Sequence, residues 1–277
     1  MDDITKYREL ALSATRAKIS YLPFDQVKDL WINHKDSKDN LNHILYYIFK
    51  DVEECPKYYL DSQNTAHAYS WKQDNILFII FRGTNEGPDV VTDLRLVRKK
   101  MFDDNNDILV HTGFFTYFKS LEDDITIEIN QKINKIDTIC FNGHSLGAAM
   151  STLASSWYSK MYNGKIKIIN QTIGSPRIGN KCFVKWYDKL DNDNLRVANT
   201  KDPISLFPIS ILYKHVNNCI YINENNQSIK RVKDMNWFMR LLYLPFGIYY
   251  RDPVSRHKCD LYIDRLLKLG DWEVNKL

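Results

Sequence analysis

A short apolar strand runs straight into a glycine-flanked serine and then into a helix, and this juncture constrains the fold more than any other stretch of the chain. Thr138-Ile139-Cys140-Phe141 reads as the strand, Gly143-His144-Ser145-Leu146-Gly147 as the turn, and Ala148-Ala149-Met150-Ser151-Thr152-Leu153-Ala154 as the start of the helix. G-x-S-x-G between a strand and a helix has the spacing of a nucleophile elbow. The serine is held in a strained turn, and side chains at the glycine positions would collide with the neighbouring strand and helix. The helix N-terminus behind the serine offers unpaired N–H groups and a positive dipole end, both of which favour a developing oxyanion. An ordinary strand-to-helix turn with a capping serine is the bland alternative.

The flanking pattern agrees with an α/β class. Asp3 to Tyr21 carries apolar residues at helical spacing (Ile4, Tyr7, Leu10, Ala11, Ala14, Ala17) after acidic capping residues. A second helix is expected over Asp39–Lys50 and a strand over Thr65–Trp71. Ile76-Leu77-Phe78-Ile79-Ile80-Phe81 is a continuous apolar run of the kind buried on both faces of a sheet. Beyond it a short helix is expected over Asp89–Lys100, a loop over Asp103–Asp107, a strand at Ile108–Val110 and a helix over Phe114–Ile133. After the elbow helix, Leu146–Tyr162, come a strand at Ile166–Ile173, a helix at Cys182–Leu190, strands at Leu195–Ala198 and Cys219–Ile222, and a last helix from Ser255 to Leu267. Strands alternating with helices predict a mostly parallel central sheet flanked by helices.

A serine hydroxyl needs a base within reach, and the base needs an orienting carboxylate. In an α/β-hydrolase-type chain the order is serine, then acid, then histidine. Of seven histidines, His34, His43, His67 and His111 precede the serine and His144 adjoins it in the turn, which leaves His215 and His257. His215 stands just before the strand expected at Cys219–Ile222 and is open to a role as a loop cap or in packing at the sheet edge. His257 opens the last helical stretch and is favoured, because a late loop can fold back over the nucleophile. Asp202 lies just past the strand Leu195–Ala198, where open α/β sheets place functional groups. Its rivals Asp188, Asp191 and Asp193 lie before that strand. Asp202-Pro203 is equally readable as a plain turn.

Composition narrows the classes. With 277 residues, 44% hydrophobic, the chain can bury one large core. Its net charge of +4 is spread among nearly as many acids as bases, so a nucleic-acid partner is not expected. Cys55, Cys140, Cys182, Cys219 and Cys259 are widely spaced and odd in number, which argues against a disulfide framework and against a zinc site. The N-terminus is acidic and polar, without the basic start and apolar run of a signal peptide. No apolar run reaches the length of a membrane span. These features together predict a reducing, cytoplasmic setting, with peripheral contact at membranes left open.

Five motifs occur in order: Phe81-Arg82-Gly83-Thr84, Val110-His111-Thr112-Gly113-Phe114, Gly143-His144-Ser145-Leu146-Gly147-Ala148, Gly174-Ser175-Pro176-Arg177-Ile178-Gly179-Asn180 and Asn199-x-x-Asp202-Pro203-Ile204. Six of only 10 glycines fall within them, so glycine is placed rather than scattered. From about Thr65 to Leu266 the chain resembles the class 3 lipase family, the group of the fungal triacylglycerol lipases, and the N-terminal helix is similar to the family's opening helix. The resemblance implies an α/β-hydrolase fold and serine-dependent hydrolysis of carboxylic esters, with no metal or organic cofactor. It implies Ser145 as nucleophile, Asp202 as acid and His257 as the terminal histidine. It sets His215 apart as a family histidine outside the triad. Thr84 matches one half of the oxyanion hole, and the N–H of Leu146 would form the other half.

Departures are few. Ala148-Ala149 stand where many members carry a second glycine, and Val216 follows His215 where glycine is usual. Between Thr84 and His111, where fungal members carry a lid, the segment lacks the exposed aromatic that a lipid-dipping lid often carries, so lid function is left open. One domain over residues 1–277 is expected, with 227–254 set apart. There, Trp237, Phe238, Leu241 and Leu242 lie in an aromatic and aliphatic stretch preceded by Lys230, Arg231 and Lys233. That stretch reads either as an interfacial element meeting a lipid surface or as a loop packed on the core. Substrate class is open among triacylglycerols, phospholipids, monoglycerides, galactolipids and sugar-linked aromatic esters. A rival of another class is a non-catalytic lipid-binding protein on the same scaffold.

Overall fold

In the computed structural model, residues 2–34, 43–84, 97–208, 210–223, 225, 227–229 and 255–272 are described. The apolar run Ile76–Phe81 forms strand β3 near the middle of a sheet, and its alternate side chains enter two different cores. Leu77, Ile79 and Phe81 face one helical layer, and Phe78 and Ile80 face the other. A strand buried on both faces needs no polar alternation, which is why its sequence reads as an unbroken apolar run.

Around β3 the strands are β1 (Lys57–Leu60), β2 (His67–Gln73), β6 (Thr138–His144), β7 (Lys167–Ile173), β8 (Asp193–Asn199), β9 (Cys219–Ile222) and β10 (Ser228–Ile229). Their order across the sheet is β1-β2-β3-β6-β7-β8-β9-β10. The run β3-β6-β7-β8-β9 is parallel, and β1-β2, β2-β3 and β9-β10 are antiparallel. The expected mostly parallel sheet with helices on both faces is what the chain forms.

One face is covered by α1 (Asp3–Ile19), α2 (Phe24–Asn33), α3 (His43–Phe49) and α8 (Cys259–Leu269). Helix α1 starts because the Asp2 carboxylate accepts the Thr5 N–H at 2.7 Å, and it buries Leu10, Ala11, Ala14 and Ala17. The three alanines let it lie close to the sheet and to α8, and the Cys259 thiol donates to the Ala14 carbonyl. The opposite face carries α4 (Thr112–Lys119), α5 (Glu122–Lys132), α6 (Leu146–Tyr162) and α7 (Lys181–Tyr187). Phe114, Phe118, Phe141 and Tyr158 pack there, each worth about 1.5–3 kcal/mol of burial if apolar throughout.

Several expectations shift in detail. The helix expected over Phe114–Ile133 is two helices. Ser120 closes α4, its N–H on Thr116 O at 3.0 Å and its hydroxyl on Tyr117 O at 2.9 Å. Glu122, Asp123 and Asp124 then place three acids on the positive end of α5. Of the helix expected over Asp89–Lys100, residues 89–96 lie outside the described residues. Arg98–Phe102 is instead strand β4, paired with β5 (Asn105–His111). The loop expected at Asp103–Asp107 thereby tightens, since Phe102 pairs with Asn105 and only Asp103 and Asp104 turn the hairpin. The last helix starts at Cys259, so His257 occupies the turn ahead of it rather than the helix itself. Among the described residues, no helix is long and apolar enough to cross a membrane.

Candidate active site

Strands β3, β6 and β8 all end at the same edge of the parallel sheet, and they deliver Thr84, Ser145 and Asp202 there. At Ser145 the chain leaves β6 with φ 59° and ψ −125° and enters α6. A non-glycine residue in that region stores about 1–3 kcal/mol of strain. Close packing holds it: the Ser145 N–H donates to Ile173 O at 3.1 Å. A Cβ on Gly147 would stand 2.1 Å from Phe81 O and 2.8 Å from Phe81 C, so only glycine lets α6 approach the end of β3. That approach brings Thr84, half-buried and just past β3, toward the N-terminus of α6. As the first residue of the helix, Leu146 has no intrahelical acceptor for its N–H.

Asp202 is buried at 1% exposure, and hydrogen bonds define its orientation. Its Oδ1 accepts the Ile204 N–H at 2.8 Å, closing the turn that the Asp202-Pro203-Ile204 sequence encodes. Its Oδ2 lies 2.8 Å from His257 Nδ1 and accepts the Tyr262 hydroxyl at 2.6 Å. A carboxylate only accepts, so the imidazole proton sits on Nδ1 and Nε2 carries the free lone pair. Burial first, and the nearby Asp202 charge second, push the Tyr262 phenol well above its ordinary value, which keeps it a donor. His257 Nε2 is buried and has no hydrogen-bond partner among the described residues.

Two neighbours of Ser145 reach His257. His144, the residue before it, stacks on the His257 ring with centroids 4.4 Å apart. Ile173, which accepts the Ser145 N–H, is followed by Gly174 at φ +58°, where a Cβ would be 3.0 Å from both His257 Cε1 and Asp202 Oδ2. The serine turn, the imidazole and the carboxylate therefore converge on one small volume. No bond joins the serine hydroxyl to Nε2 here. Such contacts commonly tighten only when substrate is bound.

The remaining motif residues have structural work around this volume. Asn199 donates its N–H to Tyr262 Oη at 2.9 Å and its side-chain amide to Arg256 O at 3.0 Å, joining the end of β8 to the His257 turn. Arg177 donates to the carbonyls of Leu206 and, at 2.7 Å, Pro208, pinning the segment after Asp202. His215 Nε2 lies 2.6 Å from Ser205 O, and the Ser205 hydroxyl donates to Asp202 O, so His215 braces the Asp202 loop from outside. Tyr21, His144, Asn199 and Tyr262 belong to the site, although sequence order alone gave them no role. Of these, His144 and Asn199 lie within the motifs that carry the resemblance. Among the described residues no group of His, Cys, Asp or Glu side chains is arranged to hold a metal. Trp237, Phe238, Leu241 and Leu242, with the rest of 230–254, lie outside the described residues.

The class 3 lipase family model matches residues 78–211. A secreted mono- and diacylglycerol lipase A of Penicillium cyclopium is 31% identical over 130 residues, covering 46% of this chain and 42% of that protein. A chloroplastic phospholipase A(1) of Arabidopsis thaliana is 30% identical over 116 residues, covering 39% and 26%. The chain thus spans less than half the length of these relatives. The solved Rhizomucor miehei triacylglyceride lipase superposes with a TM-score of 0.66 at 18% identity, over 81% of this chain and 83% of that one. At that identity the likeness speaks for the fold, and it extends well beyond the matched segment. Over residues 78–211 the chain is similar in sequence to the class 3 lipases, and the solved lipase shares the fold that surrounds this segment.

Proposed function

We propose that this protein hydrolyses carboxylic esters of lipids through an acyl-enzyme on Ser145. The observation that carries the reading is the oriented imidazole. With Nδ1–H committed to Asp202, the lone pair of His257 Nε2 is buried, unpaired and close to the serine turn. His257 takes the Ser145 proton as Oγ attacks the ester carbonyl. The N–H groups of Thr84 and Leu146 receive the oxyanion. Asp202 stabilises the imidazolium, which returns its proton to the leaving alcohol, and water then releases the acid by the same steps. The match to the class 3 lipase model and the lipases and phospholipases among the relatives support lipid esters as substrates.

The test is a panel of a short-chain triacylglycerol, a monoacylglycerol, a phosphatidylcholine and a soluble ester, each with wild type and Ser145→Ala. Hydrolysis lost in the variant by about 10³-fold or more supports the reading. Equal rates for both proteins, or none above background, would favour a lipid-binding scaffold. Contact with a lipid interface through Trp237, Phe238, Leu241 and Leu242 rests on sequence alone. Polar replacement of Trp237 and Phe238 should weaken binding to anionic vesicles while sparing the soluble ester, and equal loss of both would dismiss it.

A further inference from the structure

The loop after α1 places a tyrosine hydroxyl inside the active-site volume, although it lies more than fifty residues before the matched family segment. Tyr21 Oη is 2.8 Å from His144 Nδ1, and His144 Nε2 is 2.7 Å from the backbone carbonyl of His257. The direction of both bonds follows from chemistry. A carbonyl only accepts, so His144 Nε2 carries a proton and donates it to His257 O. A neutral ring then has its lone pair at Nδ1, which accepts from the Tyr21 hydroxyl. Burial first, and the neighbouring His257 second, hold His144 well below the ordinary histidine range, so the ring is neutral. Burial raises the Tyr21 phenol, which keeps its proton available for donation.

Geometry singles this chain of bonds out from ordinary core packing. The neutral His144 ring stacks on the His257 ring at 4.4 Å while gripping the His257 backbone, so it fixes both the plane and the anchor of that imidazole. Its own orientation depends on Tyr21, which meets it edge-on at 5.9 Å. Space for the phenol is provided by Gly83. A Cβ there would stand 2.1 Å from Tyr21 Oη and 2.7 Å from His144 O. Without the hydroxyl, His144 Nδ1 keeps its lone pair but loses its donor, and the ring is held only by its Nε2 bond to His257 O and by stacking, so its plane is less firmly set.

We infer that Tyr21 is a positioning residue for the proposed ester hydrolysis, its hydroxyl fixing the ring of His144 and His144 in turn fixing the backbone and ring plane of His257. The helix α1 and its trailing loop are then part of the working site rather than a cover for the sheet. This inference rests on the serine-hydrolase reading above, and its test separates the two. Tyr21→Phe keeps the ring and removes the hydroxyl. Tyr69→Phe is the matched control, because the buried Tyr69 hydroxyl donates to Leu22 O at 2.7 Å in the same region and does not touch His144.

Steady-state hydrolysis of p-nitrophenyl butyrate is measured for wild type and both variants. Alongside it, histidine-selective ¹⁵N spectra read the imidazole tautomers. Tyr21→Phe is expected to lower kcat by about 10- to 100-fold with KM nearly unchanged, the scale of a small misplacement of a reacting group. Its His144 signal should keep the Nε2–H pattern while the Nδ1 resonance moves downfield as its hydrogen bond is lost. Tyr69→Phe should keep both kcat and the spectrum. Wild-type turnover with equal kcat in the two variants, or an unmoved His144 Nδ1 resonance in Tyr21→Phe, would overturn the positioning role and leave the hydrolase reading standing. No turnover by wild type would overturn the hydrolase reading and this inference with it.

Discussion

The Tyr262 hydroxyl shares Asp202 Oδ2 with the imidazole of His257, donating at 2.6 Å to the same oxygen that lies 2.8 Å from Nδ1. One carboxylate oxygen therefore serves two donors, and the strength of one bond depends on the other. Tyr262 also accepts the Asn199 N–H at 2.9 Å, so its removal frees a backbone donor at the end of β8.

Tyr262→Phe should therefore act on chemistry and on stability together. Loss of a bond to a charged group, with a buried N–H left over, should lower stability by about 1.5–3 kcal/mol. The Asp202 carboxylate, freed of one donor, should orient His257 less firmly and lower kcat by roughly tenfold. Urea unfolding and steady-state kinetics check the two parts. A wild-type kcat would mean that Tyr262 only packs.

Gly174 lies against both partners of the Asp202–His257 bond. Alanine there combines a left-handed backbone with a Cβ 3.0 Å from Asp202 Oδ2 and His257 Cε1. Gly174→Ala should lose about 1–2 kcal/mol of stability through the backbone alone. It should also lower kcat by roughly tenfold or more as the pair is pushed apart. Thermal unfolding and steady-state kinetics report these separately, and a variant with wild-type kcat would show that the pocket yields.

Acid should destabilise the fold from about pH 6.5 downward. His144 is neutral in the native protein because burial holds it well below its ordinary value. His67 is shifted the same way by burial and by the Arg82 charge. In the unfolded chain both titrate near about 6.5. Below that point the unfolded state binds protons that the native state does not, so stability present at neutral pH is lost as pH falls. His144 contributes at most about 1.4 kcal/mol per pH unit. Urea midpoints between about pH 7.5 and pH 5 should fall, and His144→Gln should flatten the decline. An unchanged slope in that variant would place the acid sensitivity elsewhere.

Asn199→Ala should detach the His257 turn from β8, because the Asn199 amide holds Arg256 O at 3.0 Å. A loss of about 1–3 kcal/mol is expected from the buried partner left unsatisfied. Faster amide exchange at residues 256–258 than in wild type would locate the effect, and uniform change across the chain would not.

The elements most legible in the sequence are those whose local pattern decides their structure. Ile76–Phe81 is apolar at every position and forms a strand buried on both faces. The elbow helix, Leu146–Tyr162, begins and ends where its glycines and Asn163 place it. Residue order left His215 open beside His257, and the resemblance to the class 3 lipases implied the pairing of Asp202 with His257, which are hydrogen-bonded in the structure. Less legible were features decided by tertiary partners. Arg98-Lys99-Lys100 looks like the end of a helix, but β5 is there to pair with it, and Lys99 lies over the Phe115 ring at 5.1 Å. Helix α2 and strand β1 meet through Phe24, whose ring stacks on Tyr58 of β1 at 5.9 Å and on Tyr69 at 6.5 Å, a contact that no local pattern encodes. His144 read as a mere neighbour of the serine, because nothing local reveals a partner more than a hundred residues away at each ring nitrogen.

The central claim is that Ser145 is an activated nucleophile, and covalent labelling tests it most directly. Wild-type protein and Ser145→Ala are incubated with a fluorophosphonate, and the adduct is located by peptide mass spectrometry. The account predicts one adduct, on Ser145, absent from the variant. An unlabelled wild-type protein, or labelling that persists in Ser145→Ala, would contradict it.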